Sequence, residues 1–168
     1  LYTCSFGAFS GYAAALGLLV KTEFPEIPFA HIAFVGPLVS ASLRPVGGWL
    51  ADKINSGTKI TFIGLIGLCI TTVLIAVGVD MHHFDFFFGM TVLMFVSCGF
   101  VTGSTFRMIP HIFTDGLQSS LIAGFVAAVA AYGAFITPKI FGYVYTTFGS
   151  IHPAFAVLLA FNIVTVFV

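Results

Sequence analysis

Charge is the scarcest ingredient of this sequence. Asp, Glu, Lys and Arg make up 7% of its 168 residues, against 59% hydrophobic, and the mean hydropathy is +1.11. A water-soluble domain devotes about a quarter of its residues to charge, so this chain has too few to clothe a surface that faces water. Cysteine is nearly as sparse. Cys4, Cys69 and Cys98 stand in separate apolar runs with no Cys-x-x-Cys spacing, which points to small packing residues, not to a disulfide framework or a zinc site. His82 and His83 are adjacent and so point apart on a helix, with no cysteine or carboxylate cluster beside them; neither a metal nor a cofactor is expected. There is no Walker loop, no Gly-x-Ser-x-Gly turn and no nucleophile–base pair, so an enzyme is not expected. The formal net charge of zero names no charged partner, and nucleic acid is not expected to be one.

Long apolar runs are what the sequence does have. About 20 apolar residues in a helix cross the hydrocarbon of a bilayer. Six stretches qualify, at about residues 1–20, 29–51, 60–79, 86–113, 121–148 and 153–168. The breaks between them are short and polar: "KTEFPEIP", "DKINSGTK", "DMHHFD", "TDGLQSS" and "GSIHP". Strict alternation over about 10 residues, the mark of barrel strands, is missing. A backbone in lipid must satisfy its own hydrogen bonds, so the expected fold is an all-α membrane protein of six transmembrane helices with the lipid bilayer as its solvent. The run that opens at Leu1 and the one that stops at Val168 are both apolar, from which a larger parent protein is expected.

Loop charges set an orientation. Lys53 and Lys59 lie in the second break, and Arg107 falls on the same side. The third break has no Lys or Arg, and Lys21 in the first is offset by Glu23 and Glu26. The excess of positive charge places "DKINSGTK" and "TDGLQSS" in the cytoplasm, and with them both ends of the six-helix unit.

One charge does not belong to a loop. Arg44 stands in the second span, directly before Pro45, about 12 Å inside the end marked by Asp52. An arginine at the centre of a membrane helix costs about 2.5–3.5 kcal/mol on insertion scales and normally faces the bundle interior. Carbonyls freed by Pro45 could hold it structurally. However, Glu23, Glu26, Asp52, Asp80, Asp85 and Asp115 all sit at span ends or in loops. A buried cation with no built-in counter-ion suits a mobile anion, and its planar fork can offer parallel hydrogen bonds to a planar oxyanion. Arg107, at the boundary, reads as a positive anchor. Lys139 can snorkel outward, His111 and His152 are expected at the interfaces, and Phe86–Phe88 reads as a lipid-facing or packing run with Phe87 on the surface.

"GGWLADKINSGTK" resembles the short cytoplasmic motif of major facilitator transporters, with Gly48, Asp52, Lys53, Gly57 and Lys59 at the matching positions. Three further stretches narrow the resemblance to the nitrate/nitrite porter family. "LYTCSFGAFSGYAAALGLLVKTEFP" is similar to its seventh helix, "GSTFRMIPHIF" to the end of its tenth, and "GFVAAVAAYGAFITPKIFG" to its glycine-rich signature in the eleventh. The chain then resembles the C-terminal six-helix half of a twelve-helix bundle. The signature departs from the family's pattern where Ala127, Ala130 and Ala134 replace a serine and two glycines, while Gly124, Gly133 and Pro138 are kept.

The resemblance implies a substrate site of Arg44, Tyr2 and Phe6, with Gly133 and Ala127 from the signature. It implies a gating role for the Gly48–Lys59 motif and nitrate or nitrite as substrate. It also implies a missing N-terminal half as partner and a bacterial inner membrane as location. A stripe of small residues at Gly124, Ala127, Ala128, Ala131 and Ala134, followed by Pro138, has the spacing of a close helix contact. Alternating access would rock one bundle against the other, and the lack of a carboxylate deep in the spans favours nitrate/nitrite exchange over proton symport. A different small anion or organic solute, or a non-transporting membrane subunit, stay open as alternatives.

Overall fold

The computed structural model describes residues 2–28 and 32–167. Leu1, 29–31 and Val168, where three expected spans begin or end, lie outside the described residues, as does the side chain of Cys4. Every regular element among those described is an α-helix: α1 (Tyr2–Glu23), α2 (Val35–Lys53), α3 (Gly57–Asp80), α4 (Phe84–Ile112), α5 (Gly116–Phe148) and α6 (His152–Val166). Three of them, α3, α4 and α5, are long and apolar enough to cross a membrane; α6 is apolar but has 15 residues.

The polar breaks work as helix punctuation. Ser56 caps α3 by accepting from the Lys59 N–H at 3.4 Å, and Asp115 caps α5 by accepting from the Leu117 N–H at 3.1 Å. Gly149 ends α5 at φ 65°, a left-handed C-cap that glycine adopts without strain. The second span starts later than its apolar run suggests. A turn occupies residues 32–34 and α2 begins at Val35. Pro37 explains the difference: it then falls in the first turn, where its missing N–H has no intrahelical partner to lose.

The helix pairs α3/α4, α2/α4 and α1/α5 make the broadest contacts, and α6 leans mainly on α3. Two of these crossings depend on glycine. A Cβ on Gly133 of α5 would stand 2.6 Å from the Gly7 Cα of α1, and one on Gly103 of α4 would run into the Arg44 carbonyl oxygen of α2. Small residues are what let helix backbones approach this closely. The remaining core is aromatic and aliphatic. Tyr12 is fully buried among Phe95, Phe141 and Phe155, with ring centroids 6.1–6.4 Å away, and its hydroxyl lies 3.4 Å from Thr91 Oγ1. Buried polar ties add register: Thr61 to Ser104 at 2.7 Å between α3 and α4, and Asn162 to Thr72 at 3.2 Å between α6 and α3.

Two expectations about faces change. Phe87 is not on the surface; it is fully buried, 5.3 Å from the ring of Phe24 just past the end of α1, with its backbone against Gly78 of α3, while Phe86 is exposed. On α5, the tight crossing with α1 runs along Ala130, Gly133 and Thr137. Gly124, Ala128 and Ala131 are exposed, with Ala127, Ala134 and Pro138 half-buried. Both rows have helical spacing, so spacing alone could not choose between them. Phe125, Tyr132, Phe135, Tyr143 and Phe148 are also exposed along α5, a surface suited to lipid rather than water.

Candidate functional site

Helix α1 presents Tyr2, Phe6 and Phe9 at helical spacing, so their rings line one face. Tyr2 stacks on Phe6 at 5.4 Å, and Phe9 follows at 5.9 Å. Phe106 of α4 closes edge-on against Tyr2 at 4.7 Å. Arg44 comes from α2 to meet this aromatic face. Its guanidinium carbon lies 5.7 Å from the Phe6 centroid and 5.0 Å from that of Phe9, within the range at which a cation is drawn to a ring face. The side chain is half-buried, and its Nε is buried without a hydrogen-bond partner. Among the described residues no carboxylate pairs with it: Asp52 pairs with Arg107 and Asp80 with His152.

Beside Arg44 opens a hollow of about 420 Å³, lined by Arg44, Pro45, Gly48, Thr102, Gly103, Phe106 and Arg107. That volume is ample for a small oxyanion. Its wall toward the α2–α3 loop is Arg107, whose Nε donates to Asp52 Oδ1 at 2.6 Å. Arg107 and Asp52 also line a second hollow of about 440 Å³, with Gly57, Met108 and His111 among its other walls. The pair thus stands between the arginine hollow and the loop. Arg107, read from sequence as an anchor, is tied to Asp52 of the Gly48–Lys59 motif.

The other motif residues surround this pair. Gly48 lines the arginine hollow, and Lys53 lies 5.1 Å over the Trp49 ring. Gly57 packs on the Met108 side chain, and Lys59 is exposed beyond its backbone bond to Ser56. The signature residues are elsewhere. Gly133 packs on Gly7 and lines an apolar hollow of about 290 Å³ between α1, α5 and α6, while Ala127 is half-buried on α5. Lys139 is exposed, 4.7 Å over Phe135. Among the described residues no group of three His, Cys, Asp or Glu could hold a metal ion.

Phe9, Phe106 and Thr102 escaped sequence reasoning. Phe9 had a signal, lying one helical turn after Phe6; Phe106 and Thr102 had none, as ordinary fillers of an apolar run.

Apolar helices of membrane-crossing length and an arginine with a free donor over aromatic rings define a helical membrane protein with a hollow fit for a small anion. No protein-family model matches the chain. It is similar to the nitrate/nitrite transporter NarU of Escherichia coli strain K12, at 32% identity over 99% of this chain and 41% of NarU. It is 30% identical to the probable nitrate/nitrite antiporter NarK2 of Thermus thermophilus, over 96% of this chain and 38% of NarK2. With the probable nitrate transporter NarT of Staphylococcus haemolyticus it shares 31% identity over 72% of this chain and 30% of NarT. Over 72–99% of its length the chain is thus similar to bacterial proteins named as nitrate or nitrite transporters. It spans about two-fifths of the length of the NarU and NarK2 relatives it matches.

Proposed function

We propose that this chain is the C-terminal six-helix half of a major facilitator carrier that moves nitrate and nitrite across a bacterial inner membrane. A second half completes the site, and alternating access rocks the two bundles around it. The observation that carries this reading is Arg44: a guanidinium with an unpartnered Nε, no paired carboxylate among the described residues, and Phe6 and Phe9 beneath it, in a chain homologous to nitrate/nitrite transporters. The relatives' greater length supports a second half. In this reading Tyr2 and Phe6 hold the flat anion, Gly133 keeps α5 close behind them, Ala127 belongs to the row of α5 left for the second half, and the Asp52–Arg107 contact belongs to the cytoplasmic gate.

Exchange is the mode we favour. The spans hold no deep carboxylate to carry a proton, and the Thermus relative is named an antiporter. A pocket with a bare guanidinium resists reorientation through a low-dielectric gap unless an anion travels with it. In liposomes holding the complete carrier, nitrite-loaded vesicles should therefore take up nitrate quickly and empty vesicles slowly, with or without an inward proton gradient. Fast uptake into empty vesicles driven by that gradient alone would mean symport instead.

A further inference from the structure

Among the described residues, three buried side-chain polar atoms lack a hydrogen-bond partner: Ser40 Oγ, Arg44 Nε and Thr102 Oγ1. All three belong to the α2/α4 crossing. The hydroxyls are the more unusual members, because a serine or threonine in an apolar helix has a partner within reach, the carbonyl three or four residues back. This chain uses it repeatedly. Thr105 donates to the Val101 carbonyl at 2.7 Å, Ser104 to the same carbonyl at 3.1 Å, and Ser97 to that of Leu93 at 3.2 Å. Thr102, on the same helix, does not. A buried hydroxyl without a partner forfeits its hydration for nothing in return, so such a group calls for an explanation.

Position supplies one. Thr102 is 2% exposed and lines the hollow that Arg44 heads; Ser40 does not line it. The next residue, Gly103, meets the Arg44 backbone directly. Thr102 therefore stands level with Arg44 across the crossing, and Gly103 sets that register. An oxyanion offers only acceptors, and several oxygens must be satisfied once it leaves water. A guanidinium and a hydroxyl on one wall are complementary donors for it.

We propose that the Thr102 hydroxyl is the second hydrogen-bond donor of the anion site in this half, acting beside Arg44 on an oxygen of nitrate or nitrite. This rests on the reading of Arg44 as the anion's arginine. It assigns a binding role to α4, where the family resemblance pointed only to α1, α2 and α5.

The test is titration of the purified complete carrier with nitrate and, separately, with nitrite. Thr102→Val keeps the shape and removes the hydroxyl; Thr102→Ser keeps the hydroxyl. Thr105→Val, whose hydroxyl is already engaged within its own helix, is the control. A hydrogen bond to a charged group corresponds to about a ten- to hundred-fold change in affinity, so Thr102→Val should weaken binding of both anions by that factor. Thr102→Ser and Thr105→Val should bind as the parent does. The anion-free melting temperature of Thr102→Val should not fall, because no bond within this chain is lost, whereas its stabilisation by added nitrate should shrink. Parent-like affinity in Thr102→Val alongside lost affinity in Arg44→Lys would overturn the Thr102 assignment and leave Arg44 standing. Parent-like affinity in both would overturn the anion site as well. Equal losses in Thr102→Ser and Thr102→Val would show that shape, not the hydroxyl, matters, and would also overturn the assignment.

Discussion

A guanidinium differs from an ammonium in its planar fork, and that difference is testable at Arg44. Arg44→Lys keeps the charge over Phe6 and Phe9 but loses the parallel donors. The expected result is a ten- to hundred-fold weaker apparent affinity for nitrate at near-normal expression, on the order of 1.5–3 kcal/mol; unchanged kinetics would make Arg44 a structural residue. Arg44 was conspicuous in the sequence because a lone charge in an apolar run has a large energetic penalty to justify. Its neighbours were not. With 21 phenylalanines in the chain, nothing local separates Phe9 or Phe106 from a packing ring, and Tyr2 and Phe6 stood out only by resemblance. The Asp52–Arg107 pair joins residues 55 positions apart, a separation that composition and spacing do not reach.

Helix lengths and ends were largely legible, since "DKINSGTK", "TDGLQSS" and "GSIHP" carry the caps and breaks that terminate helices in any solvent. Partner choice was not. In lipid both faces of a helix are apolar, so the period that normally marks the buried side fades. Hence Phe87 proved buried, and α5 meets α1 along a row other than the small-residue stripe. Substitution separates the two rows. Gly133→Val would force a side chain onto the Gly7 backbone, and overpacking of that kind lowers stability by about 1–3 kcal/mol or more. The melting temperature of the complete carrier should drop accordingly, and a parent-like value would show that the crossing is looser than the geometry implies. Ala131 is exposed in this chain, so any comparable loss in Ala131→Leu must come from a surface outside it. We expect that loss, with the second half covering the stripe; a parent-like melting temperature would assign the face to lipid.

For the molecule as a whole, a small energy can matter more to motion than to stability. The Asp52 and Arg107 side chains are 44% and 40% exposed, and an ion pair so placed contributes about 0–1 kcal/mol to stability. The same energy, present in only one of two conformations, shifts their ratio several-fold. Asp52→Asn should therefore leave the melting temperature within a degree or two of the parent (~1 kcal/mol at most) yet slow transport, and exchanging the pair as Asp52→Arg with Arg107→Asp should restore part of the rate. A slow exchanged pair with parent-like melting would mean the contact is not a gate. The glycine crossings carry a mechanical consequence too. They lace α1 to α5 and α2 to α4 backbone against backbone, whereas α1 touches α2 and α4 less broadly. Arg44 rides on one laced pair and the rings of Phe6 and Phe9 on the other. The cation–ring contact is thus a seam between two stiff plates, and a slide of about an ångström would be felt there, as by a strain gauge, before either lacing gave way.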